Sequence, residues 1–176
     1  MVGDMDAQQA EHYLAVAFDG LTGQSAAAAA PTVTPTITKK VIHLEKQVPQ
    51  ASVQFGLPAI TRDHPDWIPL VLVARIVGGS GLTSRLFEEV RKKRGLAYSV
   101  GLSPVNLLST GMLVGSTATA NENVPEVLSV IRSVFSEIAE NGLTEQELED
   151  VKSSVTGSLP LSLNTNGSLA NMLLQM

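Results

Sequence analysis

The 176-residue chain contains no cysteine and only three histidines, His12, His43 and His64. Without thiols there is no disulfide, although a cysteine-free domain suits reducing and oxidising compartments alike. A zinc site needs three or four convergent ligands. These histidines stand singly, as His12-Tyr13-Leu14, His43-Leu44-Glu45 and His64-Pro65-Asp66, with no second histidine four residues on. The sequence therefore offers no metal site of its own. Long apolar runs are also missing. No stretch approaches the roughly 20 residues of a membrane helix, and the run from Ala26 to Ala30 is too short and too weakly apolar for a secretory core. Nor is there a basic surplus: 12 Lys and Arg against 17 Asp and Glu give a net charge of −5, which argues against a nucleic-acid partner.

Several catalytic signatures are absent as well. The stretch Gly79-Ser80-Gly81-Leu82-Thr83-Ser84 lacks the third glycine of G-x-G-x-x-G and follows an expected helix rather than a strand. It contains no Gly-Lys-Ser/Thr, and no G-x-S-x-G elbow occurs anywhere in the chain. Asp63 and Asp66 flank His64-Pro65 as helix-capping residues rather than as a catalytic carboxylate pair.

What is present is an apolar fraction of 44%, enough for one packed domain at this length. The most informative run is Ser84 to Val100. Glu88 and Glu89 precede the bases Arg91, Lys92, Lys93 and Arg94, an order that complements a helix dipole. Gly95 stands where a left-handed cap is cheapest, and Tyr98 opens a strand. Gly95 to Tyr98 spans at most roughly 10 Å, so the heads of Arg91 and Tyr98 can converge on one ligand.

Around this run the periodicity predicts an amphipathic helix through Ala10, Tyr13, Leu14, Ala17 and Leu21, then an aperiodic connection over 22–38. Strands are expected at Lys40 to Leu44 and Ala51 to Leu57, joined by a turn over Gln47 to Gln50. Ile68 to Val77 reads as a buried helix with Asp66 as N-cap, Pro69 in the first turn and Arg75 reaching solvent. Ala97 to Val105 and Gly111 to Thr119 form a second hairpin about Asn106 to Thr110. Capping-box pairs Asn123/Glu126 and Thr144/Glu147 open two further helices, the first stopped by Asn141-Gly142. Hairpins and helix pairs in this order predict an α+β fold of two layers, a mainly antiparallel sheet with helices packed on one face.

The run Ser84-Arg85-Leu86-Phe87-Glu88-Glu89-Val90-Arg91, with Gly95-Leu96-Ala97-Tyr98 after it, resembles a signature of the pitrilysin/insulinase (inverzincin) zinc peptidases. That signature belongs to their non-zinc-binding half, in which an arginine precedes a tyrosine by seven residues. The spacing selects Arg91 and Tyr98, since Arg94 is too close. Weaker similarity extends from Val2-Gly3-Asp4 to Leu161-Ser162-Leu163, so a single domain over 1–176 is expected. The first residues and the uncapped pattern from Leu169 to Met176 read as part of a longer protein.

The resemblance implies a substrate-binding half that works with a homologous H-x-x-E-H half, in the same chain or a partner subunit. Zinc is expected in that other half, with none here, and peptides as substrate. Tyr98 is expected to stabilise the transition state, and Arg91 and Tyr98 to bind substrate. No activity is expected of this domain alone, a dimer is a further expectation, and a soluble setting in a bacterial periplasm or cytoplasm fits. The alternative is a non-catalytic scaffold or assembly subunit of the same superfamily, as its respiratory-complex core proteins are; such a scaffold has no evident physical reason to keep the pair.

Overall fold

Period-two patterning produces three strands: β1 (Ala51–Ala59), β2 (Ala97–Asn106) and β3 (Gly111–Thr119). The structure, a computed structural model, describes residues 1–21, 36, 38–79, 83–107 and 109–175. All pairing is antiparallel, in the order β1-β3-β2, so β3 is central. β2 and β3 form the expected hairpin, closed by the Leu107 amide donating to the Thr110 carbonyl at 2.8 Å. The helices are α1 (Ala7–Ala17), α2 (Trp67–Gly78), α3 (Arg85–Phe87, continued by a π turn over Glu88–Lys92), α4 (Val124–Asn141), α5 (Glu145–Ser162) and α6 (Asn166–Gln175). The architecture is α+β, as expected.

Chain contacts divide the residues into two compact units. The larger, Thr32–Lys152, holds the sheet and the core. Ala74 and Val77 of α2, Leu86 and Phe87 of α3, and Val127, Ile131 and Val134 of α4 cluster with Val100, Leu102 and Leu113 of the sheet. These helical residues recur at the spacing that the sequence shows, so the helices lie on one face of the sheet. Arg75 stays exposed and Pro69 occupies the third position of α2, as predicted. The smaller unit joins Met1–Pro31 with Ser153–Met176. In it α1 starts with a reciprocal capping box between Asp6 and Gln9, and no residue of α1 is buried.

Three local expectations fail. Lys40 to Leu44 is not a strand, and Val41, Ile42 and Leu44 are exposed. The hairpin over Gln47 to Gln50 is therefore absent, and β1 pairs with β3 instead. The connection over 22–38 lies largely outside the described residues. Asn123 makes no side-chain cap bond, because a 3-10 turn over Asn121–Asn123 leads into α4 with helical backbone already at Asn123. Asp66 does take the N-cap of α2, as expected, although without a side-chain bond; its amide donates to His64 Nδ1 at 3.1 Å. The Thr144/Glu147 box does form: the Thr144 amide donates to Glu147 Oε2 at 2.8 Å and the Glu147 amide to Thr144 Oγ1 at 3.2 Å.

Glu147 does a second job. Arg85 grips it with two parallel bonds, Nε to Oε1 at 2.6 Å and Nη2 to Oε2 at 2.8 Å, which ties the start of α3 to the start of α5. Arg85 Nη2 also donates to the Gly142 carbonyl at 3.3 Å. The bonds from Arg85, against the opposing effect of burial and with help from the Thr144 amide and hydroxyl, hold the Glu147 carboxyl down from 4.5 to about 2. A folded pKa below the unfolded one means stabilisation that is present above pH 4.5 and lost as pH falls through about 2. Glu147→Gln is expected to cost about 1.5–3 kcal/mol near neutral pH. In urea titrations its deficit should shrink steadily between pH 4.5 and 2; a deficit independent of pH would disprove the ion pair's role.

Gly115 lies opposite Phe55 in the β1–β3 register, and a Cβ placed there would stand 2.2 Å from Phe55 Cζ. The ring in turn meets Phe135 of α4 edge-on, with centroids 6.2 Å apart. Gly115→Ala should therefore displace the ring that joins sheet to helix. A loss of about 1–3 kcal/mol is expected from thermal or urea unfolding.

Candidate substrate-binding site

The strand that carries Tyr98 begins with a defect in its register. Ala97 pairs with Thr119 and Val100 with Thr117, so Tyr98 and Ser99 together oppose Ala118. This is a β-bulge, which re-aims side chains and leaves backbone groups without ladder partners. Its cause is hydrophobic. Ala97, Val100 and Leu102 are all buried, and an unbroken alternation from Ala97 would turn Val100 and Leu102 out to solvent. The skip keeps them in the core and leaves two consecutive residues, Tyr98 and Ser99, exposed.

Preceding the bulge, the π turn over Glu88–Lys92 is closed by the Lys93 amide donating to the Glu88 carbonyl at 3.0 Å. Gly95 takes φ +63°, and its amide donates to the Arg91 carbonyl at 2.9 Å, so the left-handed cap is realised. Acid–base pairs line the outer side of this turn, Glu88 with Lys92 at 2.9 Å and Glu89 with Lys93 at 2.5 Å. The partners Lys93, then Arg94, lower the Glu89 carboxyl below its usual range. Arg94 also donates to the Glu89 carbonyl at 2.9 Å, which makes it a helix-end charge as its spacing implied.

The cap folds Arg91 back over Tyr98. Its Nη1 donates to the Tyr98 carbonyl at 2.9 Å, and Cζ of the guanidinium lies 4.2 Å from the Tyr98 ring centroid and 5.1 Å from that of Phe87. Phe87 is buried, whereas Tyr98 is 79% exposed. Among the described residues the Tyr98 hydroxyl has no hydrogen-bond partner and the guanidinium makes only the one bond. A phenol and a fork of N–H donors thus stand side by side at the surface. Both groups can donate hydrogen bonds to carbonyl oxygens.

Sequence reasoning paired Arg91 with Tyr98 but missed the groups around them. Phe87 precedes Arg91 by one helical turn, a readable stacking distance. Thr117 and Thr119 are polar residues at the inward positions of a central strand, itself a signal. The Thr117 hydroxyl donates to the Ser99 carbonyl at 2.7 Å and that of Thr119 to the Leu96 carbonyl at 2.5 Å. A cleft of about 350 Å³ lies elsewhere, between the π turn and α4, lined by Glu89, Arg94, Glu126 and Glu137 but by neither site residue. Among the described residues no three of His, Cys, Asp or Glu converge as metal ligands. The described residues offer no ligand set that fits zinc.

Residues 1–155 match the family described as the peptidase M16 inactive domain. The chain belongs to this family. The resemblance to the non-zinc-binding half of these zinc peptidases is thereby borne out. An uncharacterized zinc protease of Streptomyces coelicolor is 35% identical over 133 residues, 75% of this chain and 28% of the relative. A non-peptidase homolog from Helicobacter pylori is 34% identical over 138 residues, 76% of this chain and 31% of that protein. The chain thus spans about three tenths of the length of these relatives. A solved M16 inactive domain from Pseudomonas fluorescens superposes with a TM-score of 0.66 at 32% identity, covering 72% of this chain and 29% of that one. Among the described residues no helix is long and apolar enough to cross a membrane.

Cation–π contact at an exposed site contributes about 0.5–1 kcal/mol. Arg91→Lys keeps the charge but loses the planar stack and the fork, so this M16 inactive domain should lose less than about 1 kcal/mol in thermal unfolding. A loss several times larger would make Arg91 chiefly a folding residue.

Proposed function

We propose that this M16 inactive domain is the substrate-binding, transition-state-assisting half of a two-part zinc-dependent endopeptidase. The observation that carries this reading is the exposed Tyr98 hydroxyl, unpartnered among the described residues and set beside the Arg91 guanidinium. Zinc belongs, in this reading, to a homologous H-x-x-E-H half, in the same polypeptide or a partner subunit. Arg91 would orient the peptide by donating to its backbone carbonyls, and Tyr98 would donate to the oxyanion that develops at the cleaved bond. A fixed neutral donor aimed at that charge lowers the barrier without reorganising during the reaction.

A second reading is a non-catalytic assembly subunit, favoured by the Helicobacter pylori relative named as a non-peptidase homolog. Arg91 does not discriminate between the two, because its bond to the Tyr98 carbonyl gives it a structural duty in either. The Tyr98 hydroxyl has no such duty, so the phenol is the decisive group. Tyr98→Phe, assayed with the H-x-x-E-H half present, is expected to lower kcat by roughly 10²–10³ while KM changes only a few-fold. Turnover within a few-fold of wild type would remove the catalytic assignment and favour the assembly role. The domain purified alone should carry no stoichiometric zinc and cleave no peptide.

A further inference from the structure

Three side chains converge on three carbonyls of the four-residue stretch Leu96 to Ser99. Thr119 Oγ1 donates to the Leu96 carbonyl, Arg91 Nη1 to that of Tyr98, and Thr117 Oγ1 to that of Ser99. This is the stretch in which the ladder skips, where backbone carbonyls depend on partners from elsewhere. Thr117 and Thr119 are buried, 5% and 2% exposed, and they project from the central strand, the most constrained of the three. A buried hydroxyl costs free energy unless bonded, so each threonine stays where its acceptor is. Apolar side chains of the same shape would fill these inward positions without a polar cost, so the hydroxyls call for a reason beyond packing.

We propose that Thr117, with Thr119 behind it, is a positioning residue that pins the bulge and thereby fixes where the Tyr98 hydroxyl stands. The inference rests on the functional reading above and extends it to a residue that touches no substrate. Hydrophobic patterning forces the register to skip between Ala97 and Val100, but it leaves the peptide planes within the skip free to rotate. The bond from Thr117 fixes the plane after Ser99, and that from Thr119 fixes the plane after Leu96. The Tyr98 Cα–Cβ direction lies between these two anchors. Arg91 holds the ring by stacking and the plane after Tyr98 through its Nη1 bond, so the two threonines fix the planes that Arg91 does not reach.

Thr117→Val keeps the shape and removes the donor, and Thr117→Ser keeps the donor and removes a methyl group. The chain has two tyrosines, so Tyr13→Phe leaves Tyr98 as the sole ring signal in a tyrosine-labelled sample. In this chain Thr117→Val is expected to shift the Tyr98 ring resonances and weaken the ring-current shift of the Arg91 side chain, while Thr117→Ser keeps the native spectrum. In the two-part enzyme Thr117→Val should lower kcat by about ten-fold or more, since small misplacements of a reacting group are costly. KM should change little, and Thr117→Ser should restore kcat. In a Tyr98→Phe background Thr117→Val should cost nothing further, as residues acting through one group are non-additive. An unchanged Tyr98 spectrum in a folded Thr117→Val chain overturns the proposal, as does an equal loss of kcat with and without the phenol. If Tyr98→Phe alone leaves kcat intact, the functional reading fails, and the spectra still decide whether Thr117 sets the ring.

Discussion

One constraint shapes this molecule more than any other: Ala97, Val100 and Leu102 must all face the core. Their spacing does not match the two-residue repeat of a strand, so the chain inserts one residue and continues. From that insertion follow the exposure of Tyr98 and Ser99, the carbonyls that Thr117 and Thr119 satisfy, and the surface on which Arg91 lies. A core-packing requirement therefore produces the outward phenol. The same sheet face that excludes water on one side generates the polar feature on the other.

The helix side of the site is built differently. Its last turn is widened to a π turn and closed by a left-handed glycine, both local features. Its first turn is anchored at long range by Arg85, whose guanidinium grips Glu147 at the start of α5 and lies 3.8 Å from Glu137 of α4. The signature segment is thus held at its start by an ion pair, at its middle by buried Leu86, Phe87 and Val90, and at its end by the bulge. Rigid support of this kind is what a group needs if it is to meet a developing charge without moving.

Much of this was legible in the residues themselves, and the failures have physical causes. Helical stripes such as Val127, Val130, Ile131 and Val134 are local patterns, and they fold as they read. A strand is different, because its ladder requires a neighbour. Lys40 to Leu44 is apolar enough for a strand but lacks the clean alternation of β1 and finds no partner among the described residues, so no strand forms. Asn123 stands at the N-cap of α4 but forms no capping box, because the 3-10 turn that includes it gives it helical backbone. The Arg91–Tyr98 pairing was readable from the family resemblance, whose arginine–tyrosine spacing selects these two residues, and the short turn between them permits it. The Arg85–Glu147 bond, across 62 residues, was not. Thr117 and Thr119 lay between these cases: their alternation placed them inward, but only the register shows which carbonyls they meet.

The sequence separations within the site also imply an order of assembly. Arg91 and Tyr98 are 7 residues apart, whereas Thr117 reaches back 18 residues and Thr119 reaches back 23. Closing the longer loops costs about 1 kcal/mol more chain entropy than closing the shortest. The arginine–tyrosine contact can therefore flicker into existence while the hairpin is still open, and it acquires a fixed direction only when β3 docks. Its two partners meet early, and a strand from farther along the chain decides which way they point.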